Sequence, residues 1–295
     1  MKTRPPARAD RFDSALGFTA QRGPVARLIQ IVLYVVLVAV FAGPLVALMV
    51  GAFSPVADPS RLTLWPETLT LDNFTAAFDR GVLRYLANSF IVVGLGLLLQ
   101  ILVSVSAAYA LARHRFPGMR LVLLLILSTM MLPEEILAIP LSLVLADVPI
   151  VHVNLIGTLA GMIIPVAAWA FSILVMTEFM KEIPLELEEA ARIDGAGDLR
   201  ILWTIVLPLC RPALGVVGIF GFTMIWDQYM LPLLVAQDAG QFTLPLALRT
   251  LRTDEQAGLG VLLAASLLAL LPSVIAFLAL QRQFMKGLTA GAVKG

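Results

Sequence analysis

Long uncharged runs separated by short polar segments dominate the hydrophobic pattern of this chain. Four runs contain no charged residue, and two more are interrupted, one by Glu134-Glu135 after Pro133 and the other by Asp227. A helix needs about 20 mostly apolar residues to cross the hydrocarbon core of a bilayer. The pattern therefore predicts six transmembrane helices, at 28–53, 85–112, 119–146, 155–180, 212–236 and 257–281.

Composition supports a membrane protein over a soluble one. Of the 295 residues 59% are hydrophobic and 14% are charged, and the mean hydropathy is +0.92. A soluble domain has about 25% charged residues. We therefore expect an all-α integral membrane protein that is surrounded by lipid and does not bind nucleic acid. Its expected parts are a hydrophilic tail at 1–27, a six-helix domain at 28–286 and a short tail at 287–295.

The basic residues predict the orientation of the helices. Under the six-helix reading, sixteen Lys and Arg residues fall on the side that holds both termini, and five fall on the opposite side. Short loops on the cytoplasmic side of membrane proteins carry the excess of Lys and Arg. We therefore expect the N-terminus, the C-terminus and the long loop at 181–211 to be cytoplasmic.

This long loop contains its own helix signals. Pro184 suits a first helical position, acidic residues fill the first turn, and Gly195 offers a left-handed C-terminal cap, so 184–194 is predicted to be a short helix. Asp198 is expected to cap a second helix at 199–207 that stops at Pro208. Pro212 fits the start of the next span.

Two interpretations of the short helix are possible from the residues alone. Glu188 and Arg192 lie four residues apart and would form a simple surface ion pair, which contributes about 0.2–0.5 kcal/mol. That pair does not account for the small residues Ala190, Ala191 and Gly195 in so long a loop. Small side chains permit the close approach of another surface, and loops on rigid scaffolds often bind partners.

The loop carries a spaced set of residues: Glu189-Ala190-Ala191, Gly195, Ile205 and Leu207-Pro208. This set resembles the EAA signature of ABC importer permeases, the membrane subunits of binding-protein-dependent uptake systems. The likeness is to their carbohydrate branch in particular, which includes the maltose and glycerol-3-phosphate permeases. Further likeness runs from Trp65-Pro66 to the C-terminal segment that starts at Lys286.

The resemblance implies a type I ABC importer architecture with a cytoplasmic coupling helix between helices 4 and 5. We call residues 181–211 the EAA loop. It would dock on a cytoplasmic ATPase subunit and couple hydrolysis to alternating access, with Pro208 as the anchor to the membrane. The residues implied in docking are Glu189, Ala190, Ala191, Asp194 and Gly195.

The resemblance also implies the partners and the cargo. The partners would be a second, related permease, two ATPase subunits and an external or periplasmic solute-binding protein at the bacterial inner membrane. The cargo would be a sugar, an oligosaccharide, a polyol or a glycerol phosphate, and the sequence leaves open which of these it is. It also leaves open whether this chain touches the solute.

The chain has no phosphate-binding loop with a Gly, four residues and then Gly-Lys-Ser/Thr, and it has only two histidines. We therefore expect a non-catalytic subunit without a cofactor or metal of its own, with ATP and Mg²⁺ bound by the partner ATPases.

Charged residues at membrane depth are candidates for function, because they are costly to insert. Asp227, with Gln228 and Tyr229, is a possible part of the translocation path. The related permeases commonly have Asn at the place of Asp227, so its role stays open between binding a polar solute and pairing with the partner permease. Glu134 and Glu135 mark either a broken helix that lines a cavity or the outer end of a span. An ion-coupled secondary transporter that uses Asp227 is the alternative function.

Overall fold

The computed structural model describes residues 24–55, 66, 68–254 and 256–292, with side chains described as far as Gln281. Most of the predicted N-terminal tail, 1–23, lies outside the described residues. The likeness at Trp65 and the charges of the far C-terminus, including Lys294, lie outside them as well.

Within the described residues the regular elements are helices, apart from an isolated antiparallel bridge between Val148 and Val153. Short 3₁₀ turns lie at Pro165–Ala168 and Ala239–Gln241, and a π-helical turn lies at Leu202–Val206. The α-helices are α1 Pro24–Ala52, α2 Asp72–Asp79, α3 Val82–Arg113, α4 Met119–Met131, α5 Glu134–Ala146, α6 Ala160–Ile163, α7 Ala170–Lys181, α8 Leu185–Ile193, α9 Asp198–Ile201, α10 Leu207–Leu209, α11 Arg211–Trp226, α12 Met230–Val235, α13 Leu244–Thr253 and α14 Gly258–Ala292.

Four helical stretches of the described chain are long and apolar enough to cross a membrane: α1, α3, the segment Ala160–Lys181, and α14 as far as Gln281. Two bent pairs also pass the test of length and hydropathy. They are α4 with α5, bent by 113°, and the segment Asp198–Leu209 with α11, bent by 80°. The number of spans is therefore between four and six by this test, and the predicted six corresponds to its upper limit.

Several helices differ from the continuous spans that the hydrophobic runs predicted. The predicted span 212–236 is divided into α11 and α12 at Asp227, Gln228 and Tyr229. The predicted span 155–180 is interrupted at Trp169, which has an extended backbone. The last helix continues to Ala292 and so includes most of the predicted tail. Hydropathy locates apolar length, but it does not detect where the backbone changes direction within that length.

The central element is α3, which packs against α7 and α11. One core cluster surrounds the first half of α3, including Val92 and Trp226, and a second surrounds its last turns, including Val105 and Met176. In contrast, α1 packs against α14 and carries exposed apolar side chains along most of its length. Such an apolar exterior is what a lipid environment favours, because hydrocarbon replaces water around it.

Candidate functional site

The EAA loop begins with α8, which ends in a Schellman motif. Gly195 has a φ angle of +83°, and its N–H donates to the carbonyl of Arg192 at 3.0 Å. The N–H of Ala196 donates to the carbonyl of Ala191 at 2.9 Å. These two bonds satisfy carbonyls at the helix end, and glycine adopts the left-handed conformation without steric cost. The predicted cap at Gly195 is therefore present.

The second half of the loop differs from the prediction. Gly197, not Asp198, is the N-cap residue, and the helix does not stop at Pro208. Instead, the Leu207 N–H donates to the carbonyl of Leu202 in a π-helical turn directly before Pro208. A proline has no N–H and its ring crowds the preceding turn of a regular α-helix, so a wide turn at this place relieves both problems. The helix continues to Leu209 and then bends into α11.

A buried ion pair joins α8 to the end of α3. Arg113 Nε donates to Glu188 Oε1 at 2.5 Å, and the two side chains are 4% and 2% exposed. Two further bonds complete the network: Arg113 Nη2 donates to the Ile183 carbonyl at 3.1 Å, and Tyr109 Oη donates to Glu188 Oε2 at 3.3 Å. Burying two charges is costly unless additional hydrogen bonds satisfy them, and this network supplies such bonds.

The predicted surface pair between Glu188 and Arg192 is therefore wrong. Glu188 faces inward to Arg113, while Arg192 Nη2 donates to Asp198 Oδ1 at 3.0 Å in an exposed pair. The hydrogen bond to Asp198 raises the pKa of the Arg192 guanidinium. The spacing rule failed because a tertiary partner 75 residues away in the chain competes for the carboxylate of Glu188.

The outer face of the EAA loop is exposed and partly apolar. Glu189, Ala190, Asp194 and Gly195 are all exposed, whereas Ala191 packs against the second core cluster. The implied docking residues thus divide into an outward set and one inward alanine. Large apolar side chains extend the outward set: Ile193 is 88% exposed, Leu199 75%, Leu185 54% and Trp203 48%.

A cavity of about 490 Å³ forms where three helix breaks meet. Its wall includes Pro133 and Glu134 at the α4–α5 break, Trp169 at the break before α7, and Gln228 at the break after α11. Broken helices in transporters often place polar groups and free backbone at a binding site. Among the described residues that line this cavity, Glu134 is the one with an ionisable side chain.

The three residues predicted for a translocation path do not share one environment. Gln228 lines the cavity, whereas Asp227 is exposed and is absent from the lining. The Tyr229 hydroxyl accepts a hydrogen bond from Arg249, whose guanidinium carbon lies 5.6 Å from the centre of the tyrosine ring. Glu134 lines the cavity and Glu135 does not.

Sequence reasoning missed Arg113 and Tyr109 as partners of the EAA loop, and Trp169 as a wall of the cavity. One signal was available for the first two residues. Glu188 lies three positions before Ala191, so both occupy one face of α8, and that face packs against the core. A buried carboxylate is costly unless it is paired, and α3 ends in Arg113. No group of three or more His, Cys, Asp or Glu side chains with the geometry for a metal ion occurs in the described part of the chain.

Comparison with known proteins identifies the family. Residues 100–288 match the model of the "binding-protein-dependent transport system inner membrane component" family. The arabinooligosaccharides transport system permease protein AraQ of Halalkalibacterium halodurans is 34% identical over 268 residues, which cover 89% of this chain and 94% of that protein. The melibiose/raffinose/stachyose import permease protein MelC of Bacillus subtilis is 34% identical over 278 residues, 94% of this chain and 99% of that protein.

A solved structure agrees on the fold. A chain from the crystal structure of a bacterial ABC transporter involved in the import of the acidic polysaccharide alginate superposes with a TM-score of 0.76 at 22% identity, covering 96% of this chain and all of that one. The family match extends over more than half of the chain and includes the whole EAA loop, α3 from Gln100 and the helices around the cavity. The chain therefore belongs to the binding-protein-dependent transport system inner membrane components, and it is a non-catalytic, multi-pass permease subunit of the ABC importer class.

Proposed function

We propose that this chain moves a carbohydrate across the inner membrane as one of two permeases in an ATP-driven importer, and that its EAA loop docks on a cytoplasmic ATPase subunit. The observation that carries this proposal is the geometry of α8. Its inner face is held by the Arg113–Glu188 pair, and its outer face presents Glu189 beside exposed apolar side chains. One face therefore belongs to the membrane domain and the other is free for a partner.

The exposed apolar side chains argue for a protein partner at this face. Ile193, Leu199 and Leu185 protrude from a loop that the distribution of basic residues places on the cytoplasmic side. Large apolar side chains that protrude into water are costly, and groups of them commonly mark an interaction site. In this proposal Glu189 makes the charged contact and Ala190 permits close approach. Ala191 supports the helix from within, while Pro208 follows the π-helical turn that leads towards α11.

The proposed assembly contains a second permease, two ATPase subunits and a solute-binding protein. The family is defined by its dependence on a binding protein, which supports the last of these partners. ATP and Mg²⁺ would be bound by the ATPase subunits, and none of the proposed roles requires a cofactor in this chain. Both termini would be cytoplasmic, because sixteen of the Lys and Arg residues lie on their side.

The cavity is the proposed contribution of this chain to the translocation path. Glu134 and Gln228 offer hydrogen-bonding groups, and Trp169 with Phe171 offers aromatic surface, with ring centroids 4.9 Å apart. Aromatic faces and polar side chains together suit a polyhydroxylated solute. The acidic Glu134 and the absence of a basic side chain from the described lining favour an uncharged solute over an anionic one. The oligosaccharides named for the two relatives are uncharged, whereas alginate is acidic.

An ion-coupled carrier is the less supported alternative. The chain belongs to a family of importer components that depend on a binding protein, and the carboxylate offered for ion coupling, Asp227, is exposed and does not line the cavity. Depletion of cellular ATP with the ion gradients held constant would stop uptake by the proposed importer. Continued uptake under that condition would favour ion coupling.

Paired glycine substitutions provide the direct test of docking. A Cβ at Gly195 would meet no atom within 4 Å, so the side chain of Gly195→Trp starts in open space on this exposed turn. Gly118, in the turn before α4, is the matched control: its φ is +86° and it is equally open. Both substitutions carry similar backbone strain, since both positions are left-handed.

The tagged chain is extracted gently from its native membrane, and the co-purifying subunits are quantified. We expect the ATPase to be lost from Gly195→Trp and retained by wild type and Gly118→Trp. Equal retention by both variants would contradict docking at this face, and absence of an ATPase from the wild-type preparation would contradict the proposed function as a whole.

A further inference from the structure

We propose that Arg113 and Glu188 form a rigid joint that makes the docking helix α8 turn together with the membrane helix α3, and that the adjacent Glu189 has the separate task of contacting the partner. The proposal rests on the proposed function and extends it. It assigns different roles to two neighbouring glutamates and identifies the membrane helix that receives the motion of the EAA loop.

The first support is the geometry of the joint. The ion pair is 2.5 Å long, both side chains are buried, and both carry a second hydrogen bond, to Ile183 and Tyr109. These bonds join α3, α8 and the short segment before α8 at one point. The other ion pairs at this end of the described chain, Lys181–Glu178 and Arg192–Asp198, are exposed. Exposed pairs contribute little, whereas removing one member of a buried pair leaves an uncompensated charge.

The second support is the position of Arg113 in the fold. It is the last residue of α3, a helix of 32 residues that is about 48 Å long at about 1.5 Å per residue. A buried contact at the end of one continuous helix transmits a rotation or tilt along the whole helix. By comparison, the chain connection at the C-terminal end of the EAA loop, into α11, passes through a π-helical turn and an 80° bend.

The third support is a corresponding set of bonds at the opposite end of α3. Asn88 Nδ2 donates to the carbonyls of Gly240 and Phe242 at 2.9 and 3.0 Å, and Ser89 Oγ accepts from the Leu244 N–H at 2.8 Å. These bonds hold the segment between α12 and α13. The same helix therefore holds the docking helix at one end and a connecting segment near the cavity helices at the other.

The test separates docking from transmission. Four variants are compared with wild type in the complete importer: Arg113→Gln, Glu188→Gln, the apolar pair Arg113→Met with Glu188→Leu, and the control Glu178→Gln, which removes an exposed ion pair. For each variant we measure the amount in the membrane, the ATPase that co-purifies, the ATP hydrolysis stimulated by the solute-loaded binding protein, and solute uptake by cells.

The joint predicts a specific combination of results. The two single variants retain the ATPase at the wild-type ratio, but uptake and stimulated hydrolysis fall at least tenfold, because the docked helix no longer moves α3. The apolar pair recovers at least a third of wild-type uptake, since well-packed apolar residues can replace a buried ion pair without leaving a charge unpaired. The control transports like wild type.

Other results overturn the proposal. Wild-type uptake in both single variants shows that no joint is needed. Loss of the ATPase in proportion to uptake shows that Glu188 acts in docking and not in transmission. If the single variants fail to accumulate in the membrane, the apolar pair decides: an accumulated pair that transports supports a mechanical joint, and one that does not transport excludes it. Absence of an ATPase from the wild-type complex is a failure of the proposed function and is distinguishable from all of these.

Discussion

Close packing joins α3 to α11, the helix that leads to Gln228, and in the proposed mechanism this contact carries the movement of α3 onward. Gly221 lies at this contact. A Cβ added there would lie 2.8 Å from Leu97 Cδ1 and 2.9 Å from Gln100 Oε1. Gln100 is fully buried, and its Nε2 donates to Ser172 Oγ at 2.5 Å, so its amide cannot move aside without losing that bond. We therefore predict that Gly221→Ala destabilises the packed helices.

Gly218, one turn earlier on the same helix, provides the comparison. A Cβ at Gly218 would lie 3.7 Å from Leu280 Cδ1, which is ordinary van der Waals contact. Replacing a helical glycine by alanine gains about 0.5–1 kcal/mol at either position, so this term cancels in the difference between the two variants. Overpacking a dense interior costs about 1–3 kcal/mol. Gly221→Ala should therefore be about 1–3 kcal/mol less stable than Gly218→Ala.

Unfolding of the purified protein by sodium dodecyl sulfate in mixed micelles measures this difference. The helical content is followed by circular dichroism for wild type and both variants under identical conditions. A larger substitution, Gly221→Val, should extend the loss, since it adds more volume at the same contact. Equal midpoints for Gly221→Ala and Gly218→Ala would refute the argument, because they would show that the α3–α11 contact has room for a methyl group.

Three further predictions concern individual side chains. Asn88→Ala should leave two carbonyls without their donor and so increase protease cleavage near Phe242 in intact spheroplasts. The control Ser106→Ala, on an exposed face of the same helix, should not increase cleavage. Equal cleavage of the two variants would show that Asn88 does not hold this segment. Gln228→Ala should reduce the rate of solute uptake at least threefold at equal expression, because Gln228 lines the cavity. Asp227→Asn, next to it but outside the lining, should leave the rate unchanged. A loss of uptake in Asp227→Asn but not in Gln228→Ala would show that the solute passes Asp227. Asp198→Asn should leave the midpoint of the same micelle titration unchanged, because its pair with Arg192 is exposed to solvent. A clearly lower midpoint would show that Asp198 stabilises the EAA loop.

Local chemistry determined much of the EAA loop in advance. Gly195 adopts the left-handed conformation that its position after a short amphipathic helix predicted, and Pro212 lies in the first turn of α11. Both depend on the backbone of a few neighbouring residues, so a short window of sequence contains the relevant information. The prediction that Asp198 caps the second helix was wrong, although it too concerned only neighbouring residues. The Asp198 carboxylate accepts a hydrogen bond from Arg192 and none from the start of the helix.

The sequence predicted only part of what forms the cavity. Glu134-Glu135 after Pro133 marked one of the three helix breaks as one of two possible interpretations, and the structure contains that break. Asp227 interrupted the uncharged run of 212–236, but this span was predicted to be continuous, and the structure divides it there. The third, at Trp169, lies in an uncharged apolar run, so hydropathy contains no sign of it. The two charged interruptions did not predict that Glu134 and Gln228 line one cavity, because that depends on how α5, α7 and α11 are placed relative to one another.

By itself the sequence determined that this chain is an all-α membrane protein of the importer family, since uncharged apolar length and the EAA spacing are properties of the chain that packing does not change. Only the tertiary structure decided which side of α8 each residue occupies and what it contacts. Glu188 and Glu189 are adjacent and chemically identical, yet one is buried against Arg113 and the other is exposed. The physical reason is that a buried charge depends on a partner brought close by folding, and Arg113 is 75 residues distant along the chain.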